Sequence, residues 1–189
     1  MKKIILSALF VAGFAFTVNA QNVKPRIEAG VTFANQSISL SKTSLSPSSI
    51  VGARAGIAAE IDLMGMENTG LYLAPGLNYK MSGTKITERL TNHNINLPVN
   101  AGIRFMFADN MAVALEFGPY AEYALSGDQY KADDMKKFDL GLGGSAALEI
   151  SRMYLRVGAE YGLMNLSKEG VEKKTTKNKN FFATVGFKF

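Results

Sequence analysis

A closed barrel of eight antiparallel strands is the fold class that this sequence predicts, and three observations predict it. Eight segments alternate apolar and polar residues with period two, and one face of each carries no Asp, Glu, Lys or Arg. The links between the segments alternate short and long. The last of the eight, NFFATVGFKF, ends the chain and sets Phe181, Ala183, Val185, Phe187 and Phe189 on one face and Phe182, Thr184, Gly186 and Lys188 on the other. Pairing this last strand with the first leaves no sheet edge open.

The first twenty residues stand outside the barrel. Lys2 and Lys3 precede the apolar run Ile4 to Phe16, which is too short to cross a bilayer, and Val18-Asn19-Ala20 ends in the small residue that a signal peptidase requires. Residues 1–20 are therefore expected to be a cleaved secretory signal peptide and 21–189 the barrel domain. The chain has no cysteine, which rules out a lipoprotein anchor, a disulfide framework and thiolate chemistry. Loss of the leader lowers the net charge from +5 to +3, and no basic arm or stripe marks a nucleic-acid partner. No other apolar run is long enough for a membrane-crossing helix.

In chain order, the first strand is expected over Arg26 to Asn35, with Ile27, Ala29, Val31 and Phe33 on its apolar face. The second, Ile50 to Asp62, presents Val51, Ala53, Ala55, Ile57, Ala59 and Ile61. The third, Leu71 to Met81, presents Leu71, Leu73, Leu77, Tyr79 and Met81. The fourth, Asn94 to Phe107, carries Ile95, Leu97, Val99, Ala101, Ile103, Phe105 and Phe107. Met111 to Leu125 and Phe138 to Ile150 are the fifth and sixth, and Met153 to Leu163 is the seventh. A helical period fits none of these stretches as well.

The opposite faces hold the strand charges: Glu28, Arg54, Glu60, Lys80, Arg104, Glu116, Glu122, Asp139, Glu149, Arg156, Glu160 and Lys188. Glycines lie between them, among them Gly30, Gly56, Gly102, Gly141, Gly158 and Gly186. A soluble barrel turns its apolar face inward and has no reason to favour glycine on its wet outer face. A narrow membrane barrel turns the polar face into a crowded lumen, where small residues make room for long ones. The glycines thus favour a transmembrane barrel with its apolar face in lipid. On that facing, Leu155→Arg is expected to be costly and Gly158→Ala far milder.

Short links at Leu63–Gly70, Ala108–Asn110 and Ser151-Arg152 read as periplasmic turns. Longer polar links at Gln36–Ser49, Ser82–His93, Ser126–Lys137 and Asn165–Lys179 read as outer loops. Aromatics gather near both strand ends, with Tyr79, Tyr123, Phe138, Tyr161 and Phe181 on the loop side and Phe105, Phe107, Phe187 and Phe189 on the turn side. Pro75, Pro98 and Pro119 fall inside strands, where bulges are expected to absorb them.

The stretches GLYLAPGLNYKMSG, NHNINLPVNAGIRFMF, ALEFGPYAEYALSG, DLGLGGSAALEI and MYLRVGAEYGLMNLS, with the closing NFFATVGFKF, resemble the outer-membrane β-barrel family typified by PorT in Bacteroidota. The resemblance implies an eight-stranded outer-membrane barrel of a Gram-negative organism. It also implies, as a second possibility, an accessory part in a type IX-like protein secretion machine.

For chemistry, the five basic and seven acidic lumen residues could form a structural ion-pair plug or line an ion or substrate path. Arg104 with Glu116, and Glu149 with Arg156, are expected to pair diagonally across their hairpins. The single histidine, His93, is the one candidate base for a lipid A-modifying enzyme, yet Ile95 shares its face and nothing fixes Ser82 or Thr91 against it. No catalytic, cofactor or metal site is therefore assigned. The basic stretch Lys168 to Lys179 could meet lipopolysaccharide phosphates or an acidic partner, serve as a solvated loop, or pair with Asp128, Asp133 and Asp134 of the preceding loop. The expected protein is a non-enzymatic outer-membrane barrel, structural or interaction-mediating through its outer loops. Its expected partners are outer-membrane lipid and lipopolysaccharide, the barrel-assembly machinery acting on the last strand, and a possible secretion-machine protein.

Overall fold

The computed structural model describes residues 23–40, 43–45, 48–85, 89–127, 136–164 and 175–189. The expected leader, residues 1–20, lies outside the described residues. Nine strands follow in order: β1 Val23–Leu40, β2 Thr43–Leu45, β3 Ser48–Met66, β4 Thr69–Lys85, β5 Arg89–Ala108, β6 Met111–Gly127, β7 Phe138–Ile150, β8 Met153–Gly162 and β9 Thr175–Lys188. From β3 to β9 each strand pairs antiparallel with the next, and β3 also pairs with β1. Then β9 pairs with β1 from Arg26↔Lys188 to Ser39↔Thr175 and closes the sheet. The three-residue β2 folds back on β1 only, so eight strands form the wall. No helix among the described residues is long and apolar enough to cross a membrane.

The alternation read from the sequence sets the facing of the wall. Ile57, Val157, Leu155 and Val185 are more than half exposed on the outside, whereas Glu60, Lys80 and Asn96 are fully buried inside. A belt of Leu, Ile, Val and Phe that faces outward all round the barrel is what lipid solvates and water does not. Its aromatics stand where the sequence places them. Tyr79, Tyr123, Phe138, Tyr161 and Phe181 are exposed toward the long-loop end, and Phe105, Phe107 and Phe189 toward the other.

Two-residue turns at Glu67-Asn68, Asp109-Asn110 and Ser151-Arg152 join the strands at the short-turn end. Ser151 has φ 55°, the left-handed backbone that a tight hairpin turn requires at its first central residue. Its N–H donates to the Asn110 carbonyl at 2.7 Å and ties this hairpin to the one before it.

Three expectations need correction. Strands occupy much of what reads as loop: β1 runs on to Leu40 and β3 begins at Ser48, while β4 reaches Lys85 and β5 begins at Arg89. The expected turn Leu63–Gly70 shrinks to Glu67-Asn68. Beyond the lipid belt a strand needs no apolar face, so backbone pairing continues after the alternation has ended. The prolines also make no bulges. Register keeps its count on both sides of Pro75, Pro98 and Pro119, and each proline is absorbed as a two-residue gap in one ladder, at 74–75 against 59–60, 97–98 against 76–77 and 118–119 against 99–100. The register shifts lie near strand ends instead, between Asp62 and Met64, His93 and Asn94, Met106 and Ala108, and Ser49 and Arg54.

Leu155 sits at mid-strand on the outer face, 53% exposed. Leu155→Arg is expected to cost roughly 2–4 kcal/mol, measured as a lower urea midpoint for the barrel folded in lipid vesicles. An unchanged midpoint would mean that the face does not meet lipid.

Candidate functional site

The lumen holds the chemistry, and it is filled. Among the described residues six cations and seven carboxylates project inward. Sequence reasoning assigned five of those cations and overlooked Arg26. Arg26 shares its parity with Glu28 and so carried the same signal. It is 3% exposed and reaches across the barrel to Glu116 with two bonds, at 2.6 and 3.1 Å, and to Glu60 at 2.7 Å.

Glu116 is the hub of the half nearer the short turns. Its carboxylate also accepts from Arg156 at 2.9 and 3.0 Å, from the Tyr72 hydroxyl at 2.9 Å and from Asn100 at 3.3 Å. Arg104 donates to Glu149 at 2.7 Å and to Glu60. Lys188 spans Glu149 at 2.6 Å and Glu60 at 3.0 Å. In the other half Lys80 joins Glu122 to Glu160, the latter at 2.6 Å, and Arg54 donates to Glu160 at 2.7 Å. Glu28 links the halves, 3.7 Å from Arg156 and 3.9 Å from Arg54.

These pairings revise the expected ones. The bonds run Arg104 to Glu149 and Arg156 to Glu116, so the two hairpins exchange partners. Each pair joins strands two apart in the wall: β5 with β7, and β6 with β8. Long side chains pointing inward from a narrow barrel converge toward its axis, and a partner across the lumen competes well with one along the wall.

The glycines also do something other than expected. Tyr72 pairs across the sheet with Gly102, Tyr120 with Gly141, Tyr154 with Gly186 and Phe182 with Gly158. A Cβ on any of these four glycines would lie within 2.4 Å of the aromatic ring facing it. Glycine therefore makes room for an aromatic laid flat on the neighbouring strand. The cations then rest on those rings: Arg104 on Tyr72 at 4.6 Å, Arg54 on Phe182 at 4.1 Å, Lys80 on Tyr120 at 5.5 Å. Arg26, Arg156 and Lys188 surround Tyr154 at 5.0 to 5.8 Å. The expectation that Gly158→Ala would be mild is overturned, because its Cβ would meet Phe182 at 2.4 Å and the Gly144 carbonyl at 2.7 Å. The space left at mid-barrel, bordered by Arg54, Asn78, Pro98 and Glu160, is about 30 Å³. That is room for a water or two.

His93 faces outward at the long-loop end, with Nδ1 2.5 Å from the Tyr79 hydroxyl and the two rings stacked. The register shift beside it sets Ser126 directly across from His93, where Gly127 pairs with the lumenal Asn92. This bulge turns an even-numbered residue to the outer wall, which period-two counting does not reveal. Ser82 and Thr91, the two residues weighed against His93, pair instead with Asn92 and Gly83. Of the basic stretch, Lys179 is described: its ammonium lies 5.6 Å from the Tyr161 ring on the outer wall. Residues 168–174 and the acidic Asp128, Asp133 and Asp134 lie outside the described residues. No group of three His, Cys, Asp or Glu side chains gathers as a metal set among the described residues.

The profile of a family described as outer membrane protein beta-barrel domain matches residues 10–168. Among solved structures, the outer membrane enzyme PagL is similar at a TM-score of 0.57 and 13% identity, over 82% of this chain and 98% of that one. Neisserial surface protein A is similar at 0.49 and 16% identity, over 89% and 97%. At such identities the likeness concerns the fold. Comparison with curated proteins finds no match.

Glu116→Gln leaves Arg26 and Arg156 short of one negative charge and is expected to cost about 3–5 kcal/mol. Chemical denaturation of the refolded variant measures it, and a loss below about 1 kcal/mol would mean that the network is not the plug described. Gly158→Ala is expected to lower the folded fraction on refolding, and Phe182→Ala to restore it in part, since vacating the ring position leaves the Gly144 carbonyl 2.7 Å from the new Cβ.

Proposed function

The chain belongs to the outer membrane protein beta-barrel domain family, and from that premise we propose that it is a non-enzymatic barrel of the bacterial outer membrane that works through contacts at its outer end. The observation that carries this reading is the unequal height of the wall. β8 has 10 residues, about one membrane crossing. β1, β3, β4, β5 and β6 have 17 to 20. Two-residue turns hold β3 to β6 together at one end, so most of the surplus rises from the other. The surplus over β8 is 7 to 10 residues per strand (17 − 10 to 20 − 10), which at a tilt of about 40° adds roughly 18–25 Å to the height of the wall, most of it at that end. A plugged lumen offers no route for a solute, while a raised rim offers a surface for a partner.

In this reading the termini and short turns face the periplasm and the rim faces outward. Residues 1–20 direct export, lipid and lipopolysaccharide surround the belt, and the assembly machinery takes hold of β9. The narrower PorT-like assignment, and with it a part in a secretion machine, rests on the strand sequences. One observation favours a second reading, a lipid-modifying enzyme: Ser126 stands beside His93, whose Nδ1 is held by Tyr79. Lipid A that is identical by mass spectrometry with and without the protein removes it.

Two measurements test the leading proposal. In planar bilayers the purified barrel is expected to show no steady conductance. A photo-cross-linking residue at Leu125, on the rim, is expected to give a discrete protein adduct in native outer membranes, whereas one at Leu155 gives lipid alone. Steady conductance, or lipid adducts alone from both positions, would overturn it.

A further inference from the structure

Among the described residues the lumen charges do not balance, and the surplus is localised. In the half nearer the short turns Arg26, Arg104, Arg156 and Lys188 meet Glu28, Glu60, Glu116 and Glu149, four against four. In the other half the two cations Arg54 and Lys80 face three carboxylates, Glu122, Asp139 and Glu160. Both cations are committed to Glu122, Glu160 and Glu28. Asp139 is left over. It is 3% exposed; Oδ2 accepts from Asn178 at 3.1 Å, and Oδ1 has no partner. Its direct neighbour across the sheet is Glu122, another carboxylate. The Met164 N–H also donates to Asp139, and its nearest cation, Lys80, is shared with Glu122 and Glu160. Like charges directly opposite repel, and a buried carboxylate with no ion pair of its own is strongly unfavourable.

A second oxygen lies beside Asp139. Gly141 pairs with Gly162. A Cβ on Gly162 would lie 2.5 Å from Asp139 Oδ2, and one on Gly141 2.4 Å from the Tyr120 hydroxyl. The carboxylate and the hydroxyl therefore sit over two glycines that face each other across one sheet pairing, about 5 Å apart. Tyr120 is 2% exposed and its hydroxyl has no partner. Asn96, directly across from Glu122, is fully buried with Oδ1 likewise unpartnered. Asn96, Glu122 and Asp139 thus form one inward row on β5, β6 and β7, with Tyr120 beside it.

We propose that this site binds a small monovalent metal cation of the sodium type, ligated by Asp139 Oδ1 and the Tyr120 hydroxyl, with Glu122 adjacent and water completing its shell. The donors are hard oxygens, which suit such an ion. One positive charge neutralises the lumen, whereas a divalent ion would leave it positive. The bound ion would tie β6 and β7 together beneath the raised rim.

The full-length protein, purified from outer membranes into detergent at about pH 8, tests this in sodium chloride against choline chloride at constant ionic strength. The thermal midpoint, read by the gel shift of the unfolded barrel, is expected to climb with sodium, and the sodium-23 magnetic resonance line to broaden on adding protein. Asp139→Asn keeps the shape, removes the charge and is expected to abolish both effects. Tyr120→Phe is expected to raise the half-effective sodium concentration several-fold, and decides the matter if Asp139→Asn does not fold. Equal midpoints in the two salts with no broadening would overturn the proposal. So would a midpoint that ignores sodium but rises on acidification to about pH 5, which would assign the missing charge to a proton shared by Asp139 and Glu122.

Discussion

A charge inside an eight-stranded barrel has nowhere to go, and the rest of this structure depends on how that constraint is met. The lumen is too narrow for bulk water, so an inward charge must find its counter-charge on another strand. The ion pairs accordingly run across the lumen. Arg26 on β1 bonds Glu116 on β6, the strand diametrically opposite, and Lys80 on β4 bonds Glu160 on β8. The sheet ladder ties each strand to its two neighbours. The lumen network ties strands that the ladder cannot connect.

The same constraint explains the aromatics and glycines. A guanidinium desolvated in the lumen gains from a ring face as well as from a carboxylate. All six lumenal cations lie against Tyr72, Tyr120, Tyr154 or Phe182. Four such rings fit into so narrow a space because the residue facing each across the sheet has no side chain. Carboxylate, cation, ring and glycine form successive layers from the axis to the wall, and removing any one disturbs the next. An interior so committed to its own neutralisation has little left for transport, which directs attention to the parts of the wall that outgrow the membrane.

Fold membership and function separate here for a physical reason. What the family shares is a wall that satisfies every backbone group in lipid. That requirement is met equally by barrels with and without catalytic groups, and PagL, itself an outer membrane enzyme, has the wall in common with this chain at 13% identity. A catalytic group would have to be built from side chains placed on that wall. On this one the nearest approach is Tyr79, His93 and Ser126 at the outer rim.

The sequence by itself determined whatever follows from period two. Strand number, order, facing and closure are legible because each lipid-facing position must be apolar, and β7 matches its expected limits from Phe138 to Ile150. Arg26 was equally legible by parity with Glu28 and was passed over. Where lipid ends, the requirement ends too, so the upper reaches of β1, β3, β4 and β5 left no apolar mark. Only the tertiary structure decided the partners: Glu116 with Arg156 rather than with Arg104, Gly158 beneath Phe182, Ser126 turned outward beside His93, Asp139 bonded to Asn178 with no ion pair of its own among the described residues. These depend on which inward side chains reach one another across the axis, and on where a single bulge shifts the count. Distance across a closed barrel has no counterpart in distance along the chain.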